Sequence, residues 1–366
     1  MKVLHINSNY DRTTLHQAMM DRLDSYSFNS VFVPTHDRNC GVIQVGDNVT
    51  VSECFKKNDR FLFYYKQRKI LGCAETTFCV EKFDLLHAYT LFTDGNVAYE
   101  LHKKYGIPYV VAVRNTDVNA FFKYRPHLRG RGVKILRNAA AVFFLSASYR
   151  DRVIDHYVPK KYREAILSKT HIIPNGIDGY WFTRGKAHTR SLSKSLRLVF
   201  AGSVDRNKNI TTAAKSCGIL RQRGYDATLT VIGKVRDSAV AKELSATPYV
   251  TLLPPMTKES LADAYGTMDL FLMPSHHESF GLVYAEAMSQ GLPVIYTRGQ
   301  GFDGQFPEGR VGYSVKSTDA FEIADRVESV LADYDAMSAR CVEHSKDFRW
   351  ETFAPSYYEI YRRCLG

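Results

Sequence analysis

The sequence predicts an α/β protein built as two doubly wound domains, and three observations carry that reading. The chain has 366 residues, too many for one ordinary core and suited to two domains of roughly 150–200 residues. Short apolar runs rich in β-branched residues alternate with longer amphipathic ones, the pattern of strands buried on both faces and the helices that cover them. A basic, Ser-rich stretch with almost no large apolar residue, Thr183–Ser195, interrupts the alternation near the middle and reads as an exposed linker. Hydrophobic residues make up 45% and charged residues 24%, which fits a packed protein rather than a disordered one.

In chain order, Val3–Ile6, Tyr109–Val113 and Ala141–Leu145 are expected as strands of the first half, with Thr14–Leu23, Thr93–Tyr105 and Tyr149–Tyr157 as helices between them. Ser25–Cys79 is rich in aromatics and too irregular for its elements to be placed. In the second half the expected strands are Arg197–Ala201, Ala227–Ile232, Tyr249–Leu253, Leu270–Met273 and Pro293–Thr297. The expected helices are Ile210–Arg223, Ser260–Tyr265 and Leu282–Gln290. Such βα alternation implies parallel sheets with right-handed crossovers, whose ligands sit at the carboxyl ends of the strands. Asp347–Leu365 carries six aromatic residues that need cover, and reads as a last helix packing across the domain junction. The domains are therefore expected at 1–182 and 183–346, with 347–366 returning to the first.

Net charge is +11, concentrated in residues 1–183, where 26 Lys and Arg face 17 Asp and Glu. A basic half suits an anionic partner. No recognised nucleic-acid module occurs, so nucleic acid is not expected as the partner. The longest apolar stretches are far shorter than the ~20 residues of a membrane span. The opening residues turn polar too soon for a signal peptide, and the seven scattered cysteines, among them Cys40, fit reduced thiols in a cytoplasmic protein.

The most informative string is PSHHESFGLVYAEAMSQGLPV, Pro274–Val294. Ser279 is expected to cap a helix, and Gly281 to let a ligand approach the backbone. The N–H groups of Phe280, Gly281, Leu282 and Val283 would then form a site for a diphosphate. Glu278 and Glu286, eight apart, bracket the helix start, and carboxylates accept hydrogen bonds from sugar and ribose hydroxyls. A second feature is FAGSVDRNKNI, Phe200–Ile210: a strand, a glycine turn at Gly202 and Ser203, then Arg206 and Lys208 ahead of a helix. Cations there would neutralise a leaving diphosphate. No Walker loop occurs, and Gly299-x-Gly301 is read as a Gly-rich loop outside the nicotinamide fingerprint.

Taken together, these strings resemble the retaining glycosyltransferases of family 4, which have two Rossmann-like domains in the GT-B fold. Glu278 to Glu286 resembles the family's E-x7-E signature. Pro174-Asn175-Gly176-Ile177-Asp178 resembles its turn before the second domain. Gly202 to Lys208 resembles its phosphate-binding loop, and Val231-Ile232-Gly233 the strand and glycine beside the nucleotide base. Asp84–Ala88 and Val111–Asp117 resemble two strand ends of the acceptor domain.

The resemblance implies that Glu286 binds the ribose, that Glu278 sits by the transferred sugar, and that Lys208 holds the diphosphate. Gly202, Ser203, Gly233, Lys234, Met256 and Ser279–Val283 would line the donor. Asp117 and Arg114 are implied near the transferred sugar, with Asn9, Tyr10, His87 and Asn115 on the acceptor side. Three departures stand out. Ser203 occupies the place of the family's Arg, so either Arg206 would substitute for it or the site would hold one cation fewer. Arg114-Asn115 replaces a His-Gly pair. Asn7–Asp11 replaces a Gly-Gly turn.

The implied reaction moves a sugar from a nucleotide diphosphate sugar, with uridine as the family's commonest base, to a saccharide or lipid-linked saccharide. Configuration would be retained, without metal or other cofactor, as in bacterial surface polysaccharide synthesis. The two domains would close over the ligands and exclude water. Two alternatives stand beside it: an epimerase or hydrolase of nucleotide sugars with the same fold, and a catalytically silent nucleotide-sugar binder. Lys66–Lys69, Lys123–Lys134 and Lys160–Arg163 interleave with Phe121, Phe122, Tyr124 and Tyr162. They read either as a face for the inner surface of an anionic membrane or as ordinary solvated charge.

Overall fold

The computed structural model describes residues 1–12, 14–37, 45–190 and 193–366; Cys40 lies outside them. The chain divides into two compact units, Met1–Gly176 with Trp350–Gly366, and Ile177–Arg349. The linker-like stretch from Thr183 and the six residues before it belong to the second unit.

The first unit holds a seven-stranded sheet: β1 Lys2–Ile6, β2 Phe28–Thr35, β3 Val49–Glu53, β4 Leu85–Ala88, β5 Tyr109–Val113, β6 Ala141–Phe144 and β7 Thr170–Ile172. All pairings are parallel, in the order β3-β2-β1-β4-β5-β6-β7. The helices are α1 Thr14–Leu23, α2 Phe63–Thr77, α3 Asp94–Tyr105, α4 Pro126–Asn138, α5 Ala147–Tyr157, α6 Lys160–Leu167 and the last helix of the chain, α13 Trp350–Cys364. Strand side chains alternate between faces. Leu4, Ile6, Leu86, Ala88, Val111 and Val113 pack into one core under α2–α6. Val3, Leu85, Tyr89, Val110 and Ala112 pack into another with Met19 and Met20 of α1 and Trp350, Tyr357 and Tyr361 of α13.

The second unit holds β8 Ser195–Ala201, β9 Asp226–Ile232, β10 Val250–Leu253, β11 Leu270–Leu272, β12 Val294–Thr297 and β13 Gly312–Val315. They form a parallel sheet in the order β10-β9-β8-β11-β12-β13. Its helices are α7 Ile210–Gln222, α8 Ser238–Ser245, α9 Lys258–Tyr265, α10 Leu282–Ser289, α11 Ala320–Leu331 and α12 Tyr334–Ser345. Gly299, Gly301 and Gly304 follow β12 at the full G-x-G-x-x-G spacing. They form turns with no helix behind them, so the helix terminus that gives that motif its phosphate affinity is missing. Among the described residues no helix is long and apolar enough to cross a membrane.

Candidate active site

In each sheet the strand order reverses once, between β1 and β4 in the first unit and between β8 and β11 in the second. Loops leaving the carboxyl ends of such strand pairs diverge and leave room for a ligand. In the second unit the pair of loops is Gly202–Asn209, after β8, and Met273–Gly281, after β11. The floor beside them is bare backbone. Gly202 N–H donates to the Ile232 carbonyl at 2.9 Å, and Gly233 sits at φ 156°, where a Cβ would lie 1.8 Å from the Gly202 carbonyl oxygen. Only glycine fits there.

Asp205 shapes the first loop. Its carboxylate accepts the Lys208 N–H at 3.1 Å and the Ser203 hydroxyl at 2.6 Å, closing a single 3-10 turn over Arg206–Lys208. At three residues per turn, positions 206 and 208 point in different directions. Lys208 turns inward, and its Nζ donates to Glu278 Oε2 at 2.5 Å. Arg206 turns out, 82% exposed, and pairs with Asp237 at 3.1 Å. It does not join Lys208, so of the two expectations the one in which Arg206 replaces the missing arginine fails; Ser203 is engaged with Asp205.

Two residues that the sequence did not single out hold the second loop in place. Asn207 clasps it by accepting the His276 N–H on its carbonyl at 2.8 Å, and by bonding His277 through both atoms of its amide at 3.0 and 3.2 Å. Gln300 accepts the Glu278 N–H at 3.0 Å. No local signal marks either, because each acts through a partner distant in sequence.

The helix after this loop starts at Leu282, as expected, but Ser279 is not its cap. Its cap is Gly281, at φ 79°, where a Cβ would approach the Tyr284 ring to 2.6 Å. Ser279 caps nothing; its N–H donates to Glu278 Oε1 at 3.1 Å. Phe280 precedes the helix, with its ring buried against Phe302 and Phe348. Leu282 and Val283, the first two residues of α10, have N–H groups with no intrahelical acceptor. They carry the positive end of the helix dipole.

Glu286, on the second turn of α10, is half-buried. Burial raises its carboxyl to about 7, opposed by the nearby Lys258 and reinforced by Asp178. Lys258 is itself paired with Asp178. Glu278 is thus paired with Lys208, whereas Glu286 only feels the charge of Lys258. Gly233 and Lys234 follow β9, with Lys234 exposed, and Met256 is half-buried in the loop between β10 and α9.

In the first unit, the loops after β1 and β4 open on a cavity of about 240 Å³ whose lining includes Ser8, Asn9, Arg12, Lys66, Thr90 and Asp117. Lys66 is partly buried, which lowers its ammonium from the usual lysine range, and its Nζ lies 4.3 Å from the centre of the Phe55 ring. Arg12 and Lys66 give the cavity two cations that the sequence pattern did not reveal.

Five residues expected here make other contacts. Asp117 lines the cavity, yet its oxygens accept the N–H groups of Leu91, Phe92 and Arg114 at 3.0, 3.1 and 2.8 Å. It therefore clamps the loops after β4 and β5, and burial raises its carboxyl to about 6. Tyr10 is buried in the α1–α13 core, and burial pushes its hydroxyl up to about 12. His87 is also buried: it stacks on Tyr89 at 4.3 Å and bonds the Tyr361 hydroxyl at 2.5 Å, because α13 covers that face of the sheet. Asn115 bonds Asn119 and the Tyr149 hydroxyl outside the cavity. Arg114 donates to the Tyr89 carbonyl and to Asn175 Oδ1, each at 3.3 Å.

Two doubly wound units, each with loops diverging at one reversal of strand order, are the architecture of a class of two-domain transferases, and the comparisons agree. The family described as "Glycosyltransferase Family 4" matches residues 30–179, and that described as "Glycosyl transferases group 1" matches residues 183–348. A D-inositol 3-phosphate glycosyltransferase of Paenarthrobacter aurescens is 27% identical over 308 residues, covering 78% of this chain and 74% of the relative. One from Streptomyces avermitilis is 26% identical, covering 77% and 66%. Among solved structures, sucrose-phosphate synthase from Thermosynechococcus elongatus superposes with TM-score 0.78 at 18% identity, over 99% of this chain and 98% of that one. Anabaena HepE in complex with UDP gives TM-score 0.74 at 15%, over 99% and 100%. The chain belongs to the family 4 glycosyltransferases and has the GT-B fold.

Proposed function

We propose that this glycosyltransferase takes its sugar from a nucleoside diphosphate sugar, held by the second unit, and passes it with retention of configuration to a hydroxyl of an acceptor held by the first. One observation carries the reading: Lys208 and Glu278 lie on the two loops that diverge at β8 and β11, and the open N–H groups of Leu282 and Val283 begin the helix that the second loop feeds. A diphosphate there would draw Lys208 from Glu278 and free that carboxylate for sugar hydroxyls. Glu286 would accept the ribose hydroxyls, and Gly202 and Gly233 would let the nucleotide lie against backbone.

As the anomeric C–O bond breaks, the leaving diphosphate gains negative charge, which Lys208 and the amides stabilise in place. An oxygen of that same phosphate takes the acceptor's proton as the new C–O bond forms on the same face. No protein nucleophile and no metal enter these steps. A uridine base is favoured by the UDP named with HepE. A phosphorylated acceptor is favoured by Arg12 and Lys66 in the first unit's cavity and by the relatives called D-inositol 3-phosphate glycosyltransferases. A role in surface glycoconjugate synthesis at the inner face of the cell membrane is in keeping with both.

Calorimetric titration with uridine, adenosine and guanosine diphosphates tests the donor site. One nucleotide is expected to bind, and to bind markedly less to Lys208→Ala. No binding by any of them refutes the proposal. Anomeric NMR of the product from the matching sugar nucleotide then tests retention.

A further inference from the structure

Five of the exposed large apolar side chains of the first unit are gathered in one place; Tyr26, Phe28, Leu167 and Leu365 are exposed outside it. Phe61 is 70% exposed, Leu62 62%, Tyr64 57% and Tyr65 50%. These residues, at and just before the start of α2, line an open hollow of about 530 Å³ together with Phe63, Arg125, His127 and Leu128. Tyr124, beside Arg125, is 70% exposed. Phe63 and Leu128 root the hollow in the core, so its shape is fixed. Large apolar side chains left uncovered side by side mark an interaction surface.

The charge around the hollow has one sign. Segments 56–69 and 123–137 carry twelve Lys and Arg and one acid, Asp59, and Asp59 is occupied by Lys69 at 2.7 Å. Several of the cations lie on the rings themselves: Arg60 over Phe61 at 5.0 Å, Lys69 over Tyr65 at 4.5 Å, and Lys123 over Tyr124 at 5.1 Å. The sequence pattern pointed to Phe121, Phe122, Tyr124 and Tyr162 as the aromatic members of a basic face. Tyr124 does reach solvent, Phe122 is buried, and the other exposed rings come from the stretch where no element was legible.

Rings with an apolar body and a polar edge, ringed by long cationic side chains, match the headgroup layer of an anionic bilayer. The rings reach the acyl boundary, the ammonium and guanidinium groups meet lipid phosphate, and the long stems span the depth between. Each basic side chain near such a surface adds to the attraction, which decays within a Debye length. We propose that this face, Phe61–Tyr65 with Tyr124 and the cations of segments 56–69 and 123–137, docks the first unit on an anionic lipid bilayer. The assignment does not rest on the glycosyl-transfer reading. It has a consequence for it, because Lys66, next in sequence to Tyr65, lines the cavity assigned to the acceptor, so that cavity lies beside the docked face.

Co-sedimentation of the full chain with vesicles tests the proposal, comparing pure phosphatidylcholine with phosphatidylcholine carrying phosphatidylglycerol. Binding is expected only with the anionic lipid, and it is expected to be lost near 1 M salt, where the Debye length falls to about 3 Å. Two variants separate the contributions, and their folding is checked by thermal melts. Phe61→Ser/Leu62→Ser/Tyr64→Ser removes the rings and is expected to weaken binding at least tenfold. Lys57→Glu/Arg60→Glu/Arg68→Glu reverses the charge and is expected to abolish it. Three results would overturn the proposal: equal binding to both lipids, wild-type binding by the folded ring variant, or no vesicle binding together with self-association that the ring variant abolishes. The last would make the face an interface between two copies.

Discussion

Exchanging Glu286 for Gln is expected to strengthen the unliganded fold while weakening nucleotide binding, two opposite effects from one substitution. The carboxyl is raised from 4.5 to about 7, chiefly by burial. At ~1.36 kcal/mol per pH unit, keeping it ionised costs the folded state at most about 3 kcal/mol. Partial solvent contact reduces this to about 1–2 kcal/mol. The sign follows from linkage. Well below pH 4.5 the group is protonated both folded and unfolded, so Gln gains nothing. Between 4.5 and 7 the unfolded chain loses its proton first, and the penalty grows with pH. Above 7 it is complete. For a unit of this size, the melting temperature of Glu286→Gln at about pH 8 should exceed wild type by about 3–6 °C, with little difference at about pH 4. Nucleotide affinity should fall by about ten- to a hundredfold, because one charge-assisted hydrogen bond to the ribose is worth about 1.5–3 kcal/mol. Differential scanning calorimetry at the two pH values and isothermal titration with the bound nucleotide read both quantities. An unchanged melt at pH 8, or undiminished affinity, would refute the placement of this carboxylate in a desolvated ribose site.

Other substitutions separate chemistry from scaffolding. Lys208→Ala removes the cation facing the leaving diphosphate and is expected to lower kcat/KM by about a hundred- to a thousandfold without a change in circular dichroism; a loss under tenfold would argue against that role. Gly233→Ala drives a Cβ to 1.8 Å from the Gly202 carbonyl and is expected to cost at least about 3 kcal/mol in urea unfolding, whereas near-wild-type stability would show that the two strand ends are not held together. Asp117→Asn turns an amide toward N–H donors that a carboxylate had accepted. It is expected to cost about 1–3 kcal/mol and to raise KM for the acceptor more than it lowers kcat; a large fall in kcat at unchanged acceptor KM would restore a direct catalytic role. Arg206→Ala, at an exposed pair with Asp237, is expected to change stability by under about 1 kcal/mol and to leave nucleotide affinity within twofold.

The sequence by itself determined the alternation of β-branched runs and amphipathic segments, and with it the parallel sheets. It also determined the string around Glu278 and Glu286 and the cation-bearing glycine loop Gly202–Lys208. These are local properties: a strand buried on both faces must be apolar throughout, and a phosphate loop needs its glycines and cation at fixed spacing. Only the tertiary structure decided which polar residues face a ligand. His87 and Tyr10 look like loop or strand-end groups until α13, more than 250 residues further along the chain, covers them. Arg206 and Lys208 are equivalent in the sequence until Asp205 closes a turn that sends them in different directions. Phe61, Leu62, Tyr64 and Tyr65 lie in a stretch whose elements the pattern did not place, and only the packed chain shows them uncovered while Phe63 is buried. Arg12, after β1, and Lys66, on α2, meet at one cavity only in the packed chain. Burial and proximity are properties of the packed chain, and no spacing along a sequence encodes which helix will cover which face of a sheet.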